Sequence, residues 1–129
     1  NIIPDRNWNF TDAGVKAKKI AELNRIIAAA KKRYLPIIIG TEMNAPGLKL
    51  VDDFSCEALS PYLDDFVDGA AIVFAHTLLS VTQMGYLSEW AMSNFSGDAA
   101  KYQFYAQLGR AATANKWNIL TAISAEKTP

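Results

Sequence analysis

From Thr11 onward, apolar and polar residues follow a helical period: Ile20, Leu23, Ile27, Ala30 and Tyr34 recur at steps of three and four. That spacing lines them along one face of an α-helix, which has to be buried. Thr11 can accept hydrogen bonds from the first free amides and Asp12 lies favourably against the helix dipole, so the helix is predicted to begin there. Pro36 is predicted to end it, because the residue before a proline avoids the α region and proline donates no hydrogen bond. On another side of the same helix Lys18, Arg25 and Lys32 stand seven apart, with Glu22 within helical reach of Lys18 and Arg25. This side reads as a solvated face. A stripe for nucleic acid would interleave aromatic residues with the basic ones, and none is present here.

The pattern changes after Pro36. Ile37, Ile38 and Ile39 are three consecutive β-branched residues closed by Gly40, the pattern of a strand covered on both faces. The opening residues 1–4 also favour β structure. Strand, long helix, strand predicts a right-handed crossover with the two strands parallel and their carboxyl ends at one edge. A parallel pair leaves unpaired backbone groups on each outer edge, so the rest of the sheet is expected from elsewhere. The opening has no initiator Met and no polar lead-in and is expected to be the cut end of a longer polypeptide. The expected partners are accordingly the missing amino-terminal part or a second copy of the chain.

Beyond Asn44 the strand signals fade. Residues 45–54 read as an irregular loop with a turn at Pro46 and Gly47 and an acidic pair at Asp52 and Asp53. Ser60 and Pro61 have the form of a helix start, and Gly69 is expected to close a short helix whose exposed side carries Asp64, Asp65 and Asp68. Residues 70–83 are apolar almost all round and suit a buried helix, with a short strand at 71–75 as the alternative. Leu87, Trp90, Ala91 and Phe95 mark a further helix. Ser96 is placed to cap the next one, whose face would be Phe104, Leu108 and Ala111, and a last turn is expected around Trp117, Leu120 and Ile123. The organisation expected is a βαβ segment with its loop over 1–54 and a helical subdomain over 55–129.

Composition narrows the function classes. Half of the 129 residues are apolar and a fifth charged, as in a globular domain, and 13 basic residues balance 13 acidic ones. With no net field to steer it, neither nucleic acid nor an anionic membrane is an expected partner. The single cysteine, Cys56, cannot form an internal disulfide, and a reducing, cytoplasmic setting fits it. Apolar runs such as 70–75 fall far short of the roughly 20 residues that a bilayer crossing needs.

Candidate chemistry gathers after the two predicted strands. If they run parallel, Asp5, Arg6, Asn7 and Asn9 meet Thr41, Glu42, Met43 and Asn44, forming a rim able to hold a divalent metal by its oxygens or a phosphate by Arg6. Glu42, directly after a buried strand and a glycine, stands where α/β folds place ligands and catalytic groups. His76 is the sole imidazole; its apolar surroundings favour a neutral core histidine bonded to a backbone group over a ligand. Asp52 and Asp53 lack the spaced oxygens of a calcium loop, and Cys56 has no nucleophile signature. There is no phosphate-binding glycine loop, dinucleotide fingerprint, nucleophile elbow or zinc helix.

Residues 1–9 and 35–44 together resemble the last βαβ unit of PHP-domain proteins, the polymerase and histidinol phosphatase type of metal-dependent phosphoesterase. In that family a late strand ends in a run like Gly-Ser-Asp-Ala-His, matched here by Gly40, Thr41, Glu42, Met43 and Asn44. The resemblance implies an α/β fold, namely the carboxyl-terminal βαβ part of a PHP-like distorted (β/α) barrel followed by a mainly α-helical extension. It also implies a divalent metal (Zn, Mn or Mg) in the parent protein, held by Glu42 and Asn44. Glu42 and Arg6 would be catalytic, Arg6 and Asn7 would bind substrate, and the fragment alone would be inactive. An amide in place of the family's histidine is a poorer ligand for metals that favour imidazole. The alternative is a non-catalytic helical interaction or oligomerisation module.

Overall fold

The computed structural model describes residues 1–3, 8–41, 46–47 and 50–112. Helix takes up 60% of them, 2% is in strand pairing and no sheet is formed. The elements in order are α1 (Ala13–Lys32), a 3-10 turn (Ser60–Tyr62), α2 (Leu63–Ser80), α3 (Glu89–Ser93) and α4 (Asp98–Ala111). The chain divides into two compact units, Asn1–Phe66 and Val67–Pro129.

In the first unit Asp12, not Thr11, caps α1: its carboxylate accepts from the Val15 amide at 2.8 Å. Leu23 and Ile27 are buried and pack with Ile2, Ile37, Leu59 and Phe66, with half-buried Ala30 against them; Ile20 is half-buried. The helix stops four residues before Pro36. Tyr34 takes the left-handed conformation (φ 51°), its amide donates to the Lys31 carbonyl, and the Leu35 amide returns to the Ala30 carbonyl, each at 3.0 Å. This is the pairing of a Schellman turn with tyrosine where glycine is usual.

The expected βαβ unit of a PHP-like barrel is not formed. Ile2 and Ile39 make one isolated parallel bridge, with Ile2 N–H donating to Ile38 O at 2.8 Å and Gly40 N–H to Ile2 O at 2.9 Å. The two segments lie side by side, and among the described residues they share that single bridge. A strand sandwiched between layers would bury all three isoleucines, whereas only Ile37 is buried and Ile38 is 37% exposed. A run of apolar residues this short does not separate a strand from a packed extended segment, and Pro36 at its start donates no ladder hydrogen bond.

The second unit is built from helices. Gly69 does not stop a short helix: it lies buried inside α2, which continues from the 3-10 turn without a break. One interior glycine costs a helix about 1 kcal/mol, less than the packing of its long apolar side contributes. Ile72, Ala75 and Leu79 of α2 pack with Tyr86, Ala91 of α3, and Tyr105 and Ala106 of α4. Trp90, Phe95, Phe104 and Tyr105 add an aromatic cluster with ring centroids 5.1 to 6.4 Å apart. Ser88 caps α3, while α4 starts at Gly97 with no side-chain cap, so Ser96 does not serve. The buried face of α4 is Lys101, Tyr105, Ala106 and Gly109. It lies about one residue round the helix from the predicted face, because the Tyr105 hydroxyl donates to the Met84 carbonyl and holds that ring inside.

Candidate functional site

Of the residues singled out for chemistry, Asp5, Arg6, Asn7, Glu42 and Asn44 lie outside the described residues. What is described is the chain that precedes each group. The Ile2 to Ile39 bridge sets those two preceding segments side by side. Next to it, Thr41 donates its hydroxyl to the carboxylate of Asp52, which is buried. Asp53 folds over its own turn and accepts from the Ser55 amide at 2.9 Å and from the Ser55 hydroxyl. The two aspartates therefore serve separate local networks. Among the described residues there is no group of three His, Cys, Asp or Glu side chains able to hold a metal ion.

His76 lies on α2 in the second unit. Its Nδ1 accepts the Tyr86 amide hydrogen at 2.9 Å, which assigns the ring proton to Nε2. Ser80 Oγ lies 3.5 Å from Nε2 but donates to the His76 carbonyl at 2.6 Å. The serine hydrogen is thus committed to the backbone, and this is not a nucleophile beside a base. Gly85 makes the approach possible, since a Cβ there would stand 2.7 Å from His76 Nδ1 and 2.6 Å from Ser80 Oγ. The imidazole holds the α2–α3 connection in place.

Pattern reading missed the buried cation of α4. Lys101 is only 10% exposed at its side chain, 3.2 Å from Asp98 and 5.0 Å above the Tyr86 ring. Its one signal in the sequence was the acid three residues earlier. Burial, with the Asp98 charge adding to it, raises the Tyr86 phenol, and burial with Tyr86 nearby pushes Tyr105 up to about 12. Both phenols stay protonated at neutral pH. Asp65 and Asp68, read as an exposed side, are instead partly buried and paired with Lys31 and Arg110, respectively.

Two surfaces remain. On α1, Arg25 pairs with Glu22 at 3.0 Å, and that hydrogen bond and charge, with Lys18 and Lys19 nearby, hold the Glu22 carboxyl below its usual range. On α2, the side facing water is Val67, Ala70, Val73 and Thr77, which are exposed and uncharged. No family model matches the chain, and neither does any curated protein or solved structure with which it was compared. Among the described residues no helix is long and apolar enough to cross a membrane.

Proposed function

We propose that the chain is a non-catalytic helical interaction module, in the cytoplasm, whose second unit pairs with a second copy through the water-facing side of α2. The observation that carries this reading is a solvent-exposed helix face without charge. A surface helix ordinarily turns polar and charged residues to water, but here Val67 is 40% and Val73 42% exposed, with Ala70 and Thr77 beside them.

The order of sizes along that side supports a second copy as the occupant. Val67, Ala70, half-buried Phe74 and Thr77 of α2, with Val81 just past its end, follow one another at steps of three and four, large, small, large, small, large about Phe74. A two-fold axis at Phe74 would set Val67 against Val81 and bring Ala70 within one residue's rise of Thr77, which makes the surface nearly complementary to itself. Absence of charge removes the repulsion that such pairing would otherwise meet. Sedimentation equilibrium over a range of concentrations tests it: a monomer–dimer equilibrium is expected, and Val73→Lys should abolish it with unchanged helical circular dichroism. A monomer at every concentration overturns the reading.

A second reading is a metal-dependent phosphate-ester hydrolase using Glu42 and Arg6. It is supported by the bridge between Ile2 and Ile39, which sets side by side the segments that precede Arg6 and Glu42 in the chain. Phosphodiesterase activity with Mn²⁺ or Zn²⁺ that is equal in the unsubstituted protein and in Glu42→Ala removes this reading.

A further inference from the structure

The outer side of α1 carries charge that is largely unmatched among the described residues. Within Ala13–Lys32 the basic residues are Lys16, Lys18, Lys19, Arg25, Lys31 and Lys32, and the one acid is Glu22. Two of the cations are used internally: Lys31 pairs with Asp65 at 2.8 Å, and Lys16 lies 5.1 Å above the Trp8 ring. Lys18, Arg25 and Lys32 stand on the opposite side from buried Leu23 and Ile27, all three exposed. Among the described residues only Glu22 answers them, and Arg25 already engages it.

Their spacing selects a partner. Seven residues are about two helical turns, so the three cations form a row with about 10.5 Å between neighbours. A second helix laid alongside at a shallow crossing angle returns to the same line every seven residues, so carboxylates at that interval meet each cation in turn. Ala21 and Ala28 between them raise no bulk against such an approach. Beside the row Val15 is 43% and Ile26 50% exposed, apolar contacts that a helix with an apolar edge would cover. Nucleic acid would be expected to find stacking rings along the row, and α1 presents none. We infer that the outer face of α1 docks an acidic amphipathic helix of another protein, its carboxylates repeating every seven residues against Lys18, Arg25 and Lys32.

The probe is a synthetic helical peptide with glutamate at every seventh position and leucine along one edge, added to the full chain and followed by fluorescence anisotropy. Binding is expected at low salt, weakening as salt rises. The triple variant Lys18→Glu, Arg25→Glu, Lys32→Glu should lose about tenfold or more in affinity, as the sum of three exposed pairs allows. The milder triple change to glutamine should fall between, and circular dichroism of both should match the parent because the side chains are exposed. A peptide with lysine in place of glutamate should not bind. No binding of the acidic peptide at low salt, or equal affinity for the triple glutamate variant, overturns the inference. So does tighter binding of single-stranded RNA, duplex DNA or phosphatidylserine vesicles than of the peptide.

Discussion

The two units build their cores in opposite ways. In the first, Ile2, Leu23, Ile27, Ile37, Leu59 and Phe66 come from stretches scattered over the whole unit and drawn together around α1. In the second, Ile72 to Ala106 supply the core from helices that follow closely in sequence, with aromatic rings and a buried cation filling the space between them. Assembly of the first unit has to close long loops before its contacts form, while that of the second is largely local. The first unit is therefore the one whose stability should hang on a few apolar side chains, and the second the one that should resist small losses yet fail at points of backbone contact.

The sharpest test is Gly109→Ala. A Cβ there would lie 1.9 Å from the Ala71 carbonyl oxygen, so α2 and α4 would have to part. The variant should cost about 3 kcal/mol or more, since backbone rather than a flexible side chain blocks the methyl group. Loss of the near-ultraviolet circular dichroism of the aromatic cluster, with amide exchange rising only in the second unit, is the expected reading. Next, Ile27→Ala empties a position with no exposure and should cost the first unit about 2 to 3 kcal/mol. Exchange rising in both units for either variant would break the comparison and make the chain one cooperative block.

Tyr105→Phe removes the hydroxyl that holds the Met84 carbonyl and should cost about 1 to 2 kcal/mol. The same phenol sets a pH dependence. Its folded value, raised to about 12 from an ordinary 10, means that the folded state keeps a proton which the unfolded state releases earlier. Its contribution is fully present below pH 10 and is lost as pH climbs toward 12. Denaturation midpoints measured across that window should fall in the parent and flatten in Tyr105→Phe. The smallest effect has the opposite sign: Gln83, left-handed at φ 60° where α2 ends, should be replaced by glycine with a gain of about 0.5 kcal/mol.

Legibility in the sequence followed the same division of local and distant causes. The α1 helix could be read because its period and start lie within one window, and Asp12 took the capping role from its neighbour Thr11. Its end could not be read from Pro36, because a tyrosine adopting the left-handed conformation leaves no compositional mark. Ile37, Ile38 and Ile39 suggested a sheet strand, and only tertiary burial shows that a single bridge forms. On α4, aromatic residues at 102, 104 and 105 point to several sides, so the buried one is settled by a carbonyl contributed from residue 84. Of the candidate rim, Asn9 and Thr41 are described, and the hydrogen bond from Thr41 to Asp52 joins residues eleven apart with no motif to announce it.

A formal charge of zero conceals how unevenly the first unit is electrified. Its helix α1 holds six basic residues against one acid, while residues 52–65 carry Asp52, Asp53, Glu57, Asp64 and Asp65 with no base among them. Such a particle barely migrates in electrophoresis at neutral pH, yet a cation-exchange resin can still hold it by the exposed row on α1. The local field of that row, rather than the total charge, decides how it turns as it nears a charged neighbour.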